Sequence, residues 1–265
     1  MLKLAVIGKD VSKSDSAKMH TFDLRGLGSD CSYELISCPE RDDFDGYAKK
    51  LLADYDAFNV TIPYKLDIIP YLKGLKGDAK VFGAVNTVKD GIGYNTDGIG
   101  FSLMLKNSGI DPEGKRVLVL GAGGAGRSVV KKLLDAGADV YVFDVKSENA
   151  AAVCAEFSGA KAVSEVVPAP YFMIVNVTGV GMHKTEGLSP VGAEILQHCE
   201  VAVDLIYYPR KSEFLRIAES LGKRIINGEG MLYYQAYYAD CIILGRVPKA
   251  SEAKELFEKY REEYR

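Results

Sequence analysis

The chain is poor in the residues from which several common site types are built. Its 265 residues include three histidines, His20, His183 and His198, and no two of them have helical metal-ligand spacing. A zinc site therefore lacks ligands, a histidine-based catalytic base is poorly supplied, and a structural or surface role is expected for each. The five cysteines, Cys31, Cys38, Cys154, Cys199 and Cys241, are irregularly spaced and form no CxxC pair. An odd, unpatterned set fits a reduced, cytoplasmic protein better than a disulfide framework. No run of Lys or Arg forms a basic patch, and the formal net charge is -3, which speaks against nucleic acid as a partner. No apolar stretch approaches the roughly 20 residues needed to span a bilayer, so no membrane is expected. The apolar run in MLKLAVIGKD is too short for a secretory signal and reads as a first buried strand. Internal repeats and low-complexity segments are lacking too.

What is present is an alternation of short apolar runs with helical patterns. LKLAVIG, CSYELISC and AFNVTI read as strands, and a second series follows in RVLVLG, DVYVFD, YFMIVNV and EVAVDLI. Helical stretches such as Ser128–Ala136 and Ser212–Leu221 separate the runs. Met231–Leu244 and Ser251–Tyr264 close the chain, with Ser251 a candidate N-cap. Strand–helix alternation predicts an α/β fold with a mainly parallel sheet, and two series predict two such domains. The break is expected in the helix Gly98–Asn107 and the SGIDPEGK loop after it.

The most specific local motif is RVLVLGAGGAGRSVVKKLLDAG. A strand runs to Gly121, then Gly121-Ala-Gly123-Gly124-Ala125-Gly126, then Arg127 and a helix. Glycine is needed at the first position for a tight turn, at the second for close backbone approach to a pyrophosphate, and at the third for helix–strand packing. The helix N-terminus adds free N–H groups and the positive end of its dipole. The next strand ends in Asp144, 23 positions after Gly121. That is where NAD enzymes place the acid that hydrogen-bonds the ribose hydroxyls. The competing reading is a packing turn that binds nothing.

Asn and Thr recur where apolar runs end: Asn59-Val-Thr61, Asn86-Thr87, Asn95-Thr96-Asp97 and Asn176-Val-Thr178. At the carboxyl ends of parallel strands, amides and hydroxyls can bind a polyol without bringing charge, though any one of them can equally well hold a loop. Lys65 follows NVTIPY and Asp97 opens NTDGIGF. A lysine beside a carboxylate can exchange a proton with a substrate oxygen. Singly, Lys65 reads as a surface lysine and Asp97 as a helix cap.

In the order NVTIPYK, GAVNT, NTDGIGF, GAGGAGR, NVTGVGM and NGEGMLYYQA, these motifs resemble the shikimate dehydrogenase family from about Val6 to about Gly245. The resemblance implies a substrate domain from residues 1–100 and 232–265, and a Rossmann-type NAD(P) domain from 101–231. It implies catalysis by Lys65 and Asp97, and a small-molecule substrate, shikimate or 3-dehydroshikimate, held by Ser14, Ser16, Thr61, Asn86, Tyr207 and Gln235. The cofactor contacts it implies are Gly121, Gly123, Gly124, Ala125, Gly126, Arg127, Asp144, Thr178 and Gly230, with no metal. The reaction implied is the NAD(P)-dependent, reversible reduction of 3-dehydroshikimate in the chorismate route to aromatic amino acids, with a homodimer left open. Two departures stand out. The family's GxPxxHSxSP is Gly8-Lys-Asp-Val-Ser-Lys-Ser-Asp-Ser-Ala here, with Ser14 and Ser16 in place. Where the family has Asn-Arg-Thr, this chain has Asp144-Val145-Lys146; the family usually takes NADP, and Asp144 shifts the expectation toward NAD. Quinate or aminoshikimate dehydrogenase stays an alternative. A nucleotide-sensing homologue without turnover is disfavoured by the presence of both Lys65 and Asp97.

Overall fold

A computed structural model describes residues 1–264 of the chain. It divides into two compact units: Met1–Gly100 together with the segment from Tyr233 onward, and Phe101–Leu232. In chain order the elements up to the first crossing are β1 (Leu2–Gly8), α1 (Ser16–Gly26), β2 (Cys31–Ser37), α2 (Phe44–Asp54), β3 (Ala57–Val60), β4 (Gly74–Leu75), α3 (Asp78–Phe82), β5 (Thr87–Lys89), β6 (Ile92–Tyr94) and α4 (Asp97–Asn107). The second unit continues with β7 (Arg116–Leu120), α5 (Gly124–Asp135), β8 (Asp139–Phe143), α6 (Ser147–Glu156), β9 (Lys161–Ala162), β10 (Tyr171–Asn176), α7 (Ala193–Leu196), β11 (Cys199–Asp204), α8 (Glu213–Ser220) and β12 (Arg224–Ile226). The chain ends in α9 (Glu229–Ile243) and α10 (Ala250–Glu263).

The first unit carries a sheet in the order β2-β1-β3-β5-β6-β4. Strand β1 pairs in parallel with β2 and β3, whereas β5 runs antiparallel to both β3 and β6. The hairpin has a consequence for function. It brings the residue before β5, Asn86, and the residues after β6, Asn95 and Thr96, to the edge where β1 and β3 end. The register Asn59↔Thr87↔Tyr94 places these groups in one row. Central β3 is buried throughout, while edge strand β2 alternates, as expected from strands covered on both faces and on one. The core beneath gathers Ile7, Phe44, Leu51, Phe58, Val60 and Tyr64.

The second unit carries an all-parallel sheet, β12-β11-β10-β7-β8-β9. Strand order reverses between β7 and β10, and ligands of doubly wound sheets bind at the carboxyl side of that switch point. Leu118, Leu120, Ile174, Ala202, Phe214 and Leu215 form its core. Among the described residues, no helix is long and apolar enough to cross a membrane.

Some expectations need correction. Ser251 does not cap α10: the helix starts at Ala250, and Lys249 holds the cap position without a side-chain bond. The helix after the glycine turn starts at Gly124 rather than Ser128. Five strands of two or three residues, β4, β5, β6, β9 and β12, leave no signal in the sequence, because so few residues show no period. Ser212 caps α8, its Oγ accepting from the Leu215 amide at 3.4 Å.

Candidate active site

The turn that displays Lys65 is fixed from below. Tyr64 is 1% exposed, stacks on Phe44 with ring centroids 4.3 Å apart, and donates its hydroxyl to the Cys38 carbonyl at 2.6 Å. Ile68, three residues after Lys65, is fully buried. The Thr61 amide donates to the Ile7 carbonyl, and the Val85 amide to the Lys65 carbonyl. A buried anchor on each side, Tyr64 before and Ile68 after, therefore leaves Lys65 with its side chain raised. Its Nζ donates to Asp97 Oδ2 at 2.6 Å, each side chain being 24% exposed. The two residues, 32 positions apart, do meet.

Asp97 stands at the first position of α4, where a carboxylate is favoured by the helix dipole. The Asn95 side chain accepts from its amide at 3.0 Å. Its second oxygen, Oδ1, accepts from Asn86 Nδ2 at 2.9 Å. Asn86 is the hub: its Nδ2 also approaches Thr96 Oγ1 at 2.9 Å and Gln235 Oε1 at 3.4 Å, while its Oδ1 accepts from the Thr96 amide and the Thr87 hydroxyl, both at 3.0 Å. Gln235 Oε1 also accepts from Thr96 Oγ1 at 3.3 Å. Lys65, Asp97, Asn86 and Gln235 thus form one connected group.

Ser14 and Ser16 lie together on the loop leading into α1, the Ser14 hydroxyl donating to Ser16 Oγ at 2.9 Å. Both are half-buried, as is Thr61. A tyrosine that the sequence did not single out joins this group to the amides. Tyr33 donates its hydroxyl to Asn59 Oδ1 at 2.6 Å and is hydrogen-bonded by Ser16; burial lifts it well above the ordinary tyrosine value, so it is a donor at neutral pH. Its only sequence signal was a tyrosine on an alternating strand, which by itself reads as packing.

In the second unit, Gly121 has φ +105° and directly follows β7. A Cβ on Gly126 would lie 2.4 Å from the Gly121 carbonyl oxygen, so α5 can pack this close only on glycine. Thr178 sits against the turn, its Cγ2 being 3.1 Å from where a Gly121 Cβ would be. Asp144 does not cap α6. Its Oδ2 accepts from the Ala122 amide at 2.8 Å, tying the end of β8 to the turn, and its Oδ1 accepts from the Lys146 amide and Asn149 Nδ2. Burial raises its pKa, but those three donors outweigh it and leave the carboxyl below its ordinary value. Arg127 is held by Glu156, with Nε 2.9 Å from Oε2 and Nη2 2.5 Å from Oε1. Gly230 is buried in the first turn of α9, where a Cβ would meet Met104 at 2.9 Å. Tyr207 is 47% exposed on the loop after β11.

The Asn–Thr clusters divide in two. Asn176 spends both ends of its amide internally, Nδ2 on Asp204 and the Val180 carbonyl, Oδ1 on Thr178. Asn59 and Asn95 are likewise engaged within the fold. For these three the loop-holding reading is the one that the geometry bears out.

Residues 6–88 match the family model described as the shikimate dehydrogenase substrate binding domain, and residues 109–180 match one for putative NAD(P)-binding. Shikimate dehydrogenase (NADP(+)) of Carboxydothermus hydrogenoformans is 35% identical over 88% of this chain and 88% of its own length. That of Thermus thermophilus is 37% identical over 96% of this chain and 97% of its own. The chain belongs to the shikimate dehydrogenase family. The fold agrees: the crystal structure of the Thermus thermophilus shikimate 5-dehydrogenase in complex with NADP(H) and shikimate superposes with a TM-score of 0.87 at 36% identity, covering 98% of this chain and all of that one.

In this member of the shikimate dehydrogenase family, the glycine turn fits a dinucleotide. Gly123 and Gly124 are exposed, and a Cβ on either would meet nothing within 4 Å, so open space lies over bare backbone. No side chain caps α5, which leaves its first N–H groups to an anion. The family models take in Ser14, Ser16, Thr61, Lys65 and Asn86 on one side and the turn with Asp144 and Thr178 on the other; Asp97, Tyr207, Gly230 and Gln235 lie outside both.

Proposed function

We propose that the protein is a shikimate dehydrogenase, interconverting 3-dehydroshikimate and shikimate with a nicotinamide cofactor, and that Lys65 and Asp97 carry its proton transfer. The observation behind this is the 2.6 Å Lys65–Asp97 contact, held by Asn86 and Gln235, in the unit whose sequence matches the family's substrate-binding domain.

An ammonium has three N–H directions. Asp97 takes one, which leaves Lys65 donors for a substrate oxygen and for solvent. In reduction, Lys65 Nζ delivers a proton to the oxygen of the carbonyl being reduced and regains one from water, which its partial exposure allows. In the reverse direction it takes up the hydroxyl proton. Asp97 fixes the direction of the Nζ and offsets its charge. When bound, the nicotinamide supplies or accepts the hydride. Ser14 and Ser16 present hydroxyls to the substrate carboxylate, and Thr61, Asn86 and Gln235 present groups to its ring hydroxyls. Tyr207, exposed on the loop after β11, is a further candidate for substrate binding. The cofactor's pyrophosphate is assigned to Gly121, Gly123, Gly124, Ala125 and Gly126, with Arg127, Thr178 and Gly230 further along it.

The finer reading is a preference for NAD. The Asp144 carboxylate is ionised and still has lone pairs for ribose hydroxyls, whereas a 2′-phosphate brings a charge near −2 that it repels. Val145 is 90% exposed and offers no cation. The relatives above carry NADP in their names, so cofactor choice is where this chain is expected to differ.

The test is kcat/KM for shikimate, quinate and aminoshikimate, each with NAD and with NADP. The proposal requires shikimate to be the best substrate. Faster turnover of quinate or aminoshikimate would move the assignment to that substrate, and no turnover of any would refute it.

A further inference from the structure

Beneath the serine loop lies a buried polar cluster with no place in the mechanism above. His20, on α1, is 1% exposed, and Asp240, on α9, is fully buried. His20 Nδ1 and Asp240 Oδ1 are 2.7 Å apart. The imidazole lies flat on the Tyr33 ring, with centroids 4.8 Å apart and an interplanar angle of 9°. Tyr33 in turn bonds Asn59 and Ser16, and Asn59 Nδ2 bonds the Asn86 carbonyl at 3.2 Å. The same helix α9 that supplies Asp240 supplies Gln235, one of the groups on Asn86 and Thr96.

We propose that His20 and Asp240 are positioning residues for substrate binding: their hydrogen bond fixes the plane on which Tyr33 rests and the height of α9 against α1, and so sets Ser16, Asn59 and Gln235 together. This deepens the shikimate reading and rests on it.

The alternative is plain structural filling, and the energetics argue against it. A buried imidazole and carboxylate are costly to desolvate, and an apolar pair of equal volume often packs as well or better. What the polar pair adds is direction. An apolar side chain at position 20 leaves the Tyr33 ring free to tilt, and the hydroxyl at its far end moves most. Asp240 Oδ2 has no hydrogen-bond partner among the described residues, so the Oδ1 bond to His20 is what orients this carboxylate. The cluster reaches the substrate only through Tyr33 and Gln235, so neither residue is catalytic.

The experiment is steady-state kinetics of the full chain, with His20→Leu, Asp240→Leu and Asp240→Asn, alongside thermal melting. The Asn variant keeps an acceptor at Oδ1 and nearly the same volume. Loss of one well-placed hydrogen bond corresponds to about a fivefold effect. KM for shikimate should rise about fivefold or more in both Leu variants, with kcat within about twofold and the cofactor KM unchanged, and Asp240→Asn should restore the wild-type KM. A purely structural role lowers Tm without that split. If Asp240→Leu does not fold, His20→Leu against Asp240→Asn carries the comparison. Wild-type turnover of shikimate with wild-type KM in the Leu variants overturns the positioning role alone. A wild type that does not use shikimate overturns the reading beneath it.

Discussion

Replacing Asp23 with Asn should stabilise the protein, and increasingly so as pH rises. Asp23 is fully buried on α1; its Oδ1 accepts the Tyr233 hydroxyl, and its Oδ2 has no hydrogen-bond partner among the described residues. Burial, and then the neighbouring Asp240 carboxylate, push its pKa well above the ordinary aspartate value, against the smaller pull of Tyr233. Asp240 is itself raised by burial, with His20 pulling the other way. A group whose folded pKa lies above its unfolded one contributes stability that is complete below the unfolded value, about 3.9. That contribution is lost as pH rises through the folded value. The wild type therefore weakens with rising pH on this account, while an amide does not titrate. Asn keeps the acceptor for Tyr233 and turns the orphan oxygen into a donor beside Asp240. Above the folded pKa, where Oδ2 is an unprotonated and unsatisfied acceptor, its removal is worth about 1–3 kcal/mol, or roughly 2–12 °C in Tm at about 2–4 °C per kcal/mol. The assay is calorimetry of both proteins from acid to alkaline pH, read as their difference, in which the surface charges they share cancel. A difference near zero in acid that widens with pH is expected. A gap that is constant or that shrinks with pH would refute the reasoning.

Three further outcomes follow from the geometry. Ser14→Ala and Ser16→Ala should each raise KM for shikimate about tenfold or more, with less effect on kcat, because a hydrogen bond to a carboxylate serves ground and transition states alike; unchanged KM in both removes these serines from the site. Asp144→Asn should raise the NADP-to-NAD ratio of kcat/KM, and Lys146→Ala should lower it; a wild type that favours NADP tenfold sinks the NAD preference. Gly126→Ala should cost about 1–3 kcal/mol by overpacking and weaken cofactor binding, since its Cβ would stand 2.4 Å from backbone oxygen that cannot swing away; wild-type melting and cofactor affinity contradict that packing role.

The sequence was informative wherever one local pattern determines one local structure. The strands of the parallel series and the glycine turn follow from motifs in which each residue has its own task, as Tyr64 does in burying itself so that Lys65 is raised; the pairing of Lys65 with Asp97, 32 positions apart, was expected only from the family resemblance. It was uninformative where a group's meaning depends on a distant partner. Asn176 looked like Asn86 in the chain, yet one amide closes a loop and the other bonds both Asp97 and Gln235, the latter 149 positions away. Tyr33, His20 and Asp240 looked like ordinary strand and helix residues; contact between β2, α1 and α9 gives them their roles. Asp144 combined both cases. Its position after the turn was legible, but its bond to the Ala122 amide was not.

The most direct test of the central claim is Lys65→Met, with kcat for 3-dehydroshikimate reduction, shikimate Kd by calorimetry and Tm measured on the same preparation. Loss of a general acid–base group costs about 10²–10⁴-fold in rate. A fall in kcat of that size is expected, with Kd within a few-fold and Tm preserved. Near wild-type kcat across the pH range in which the wild type is active would contradict it.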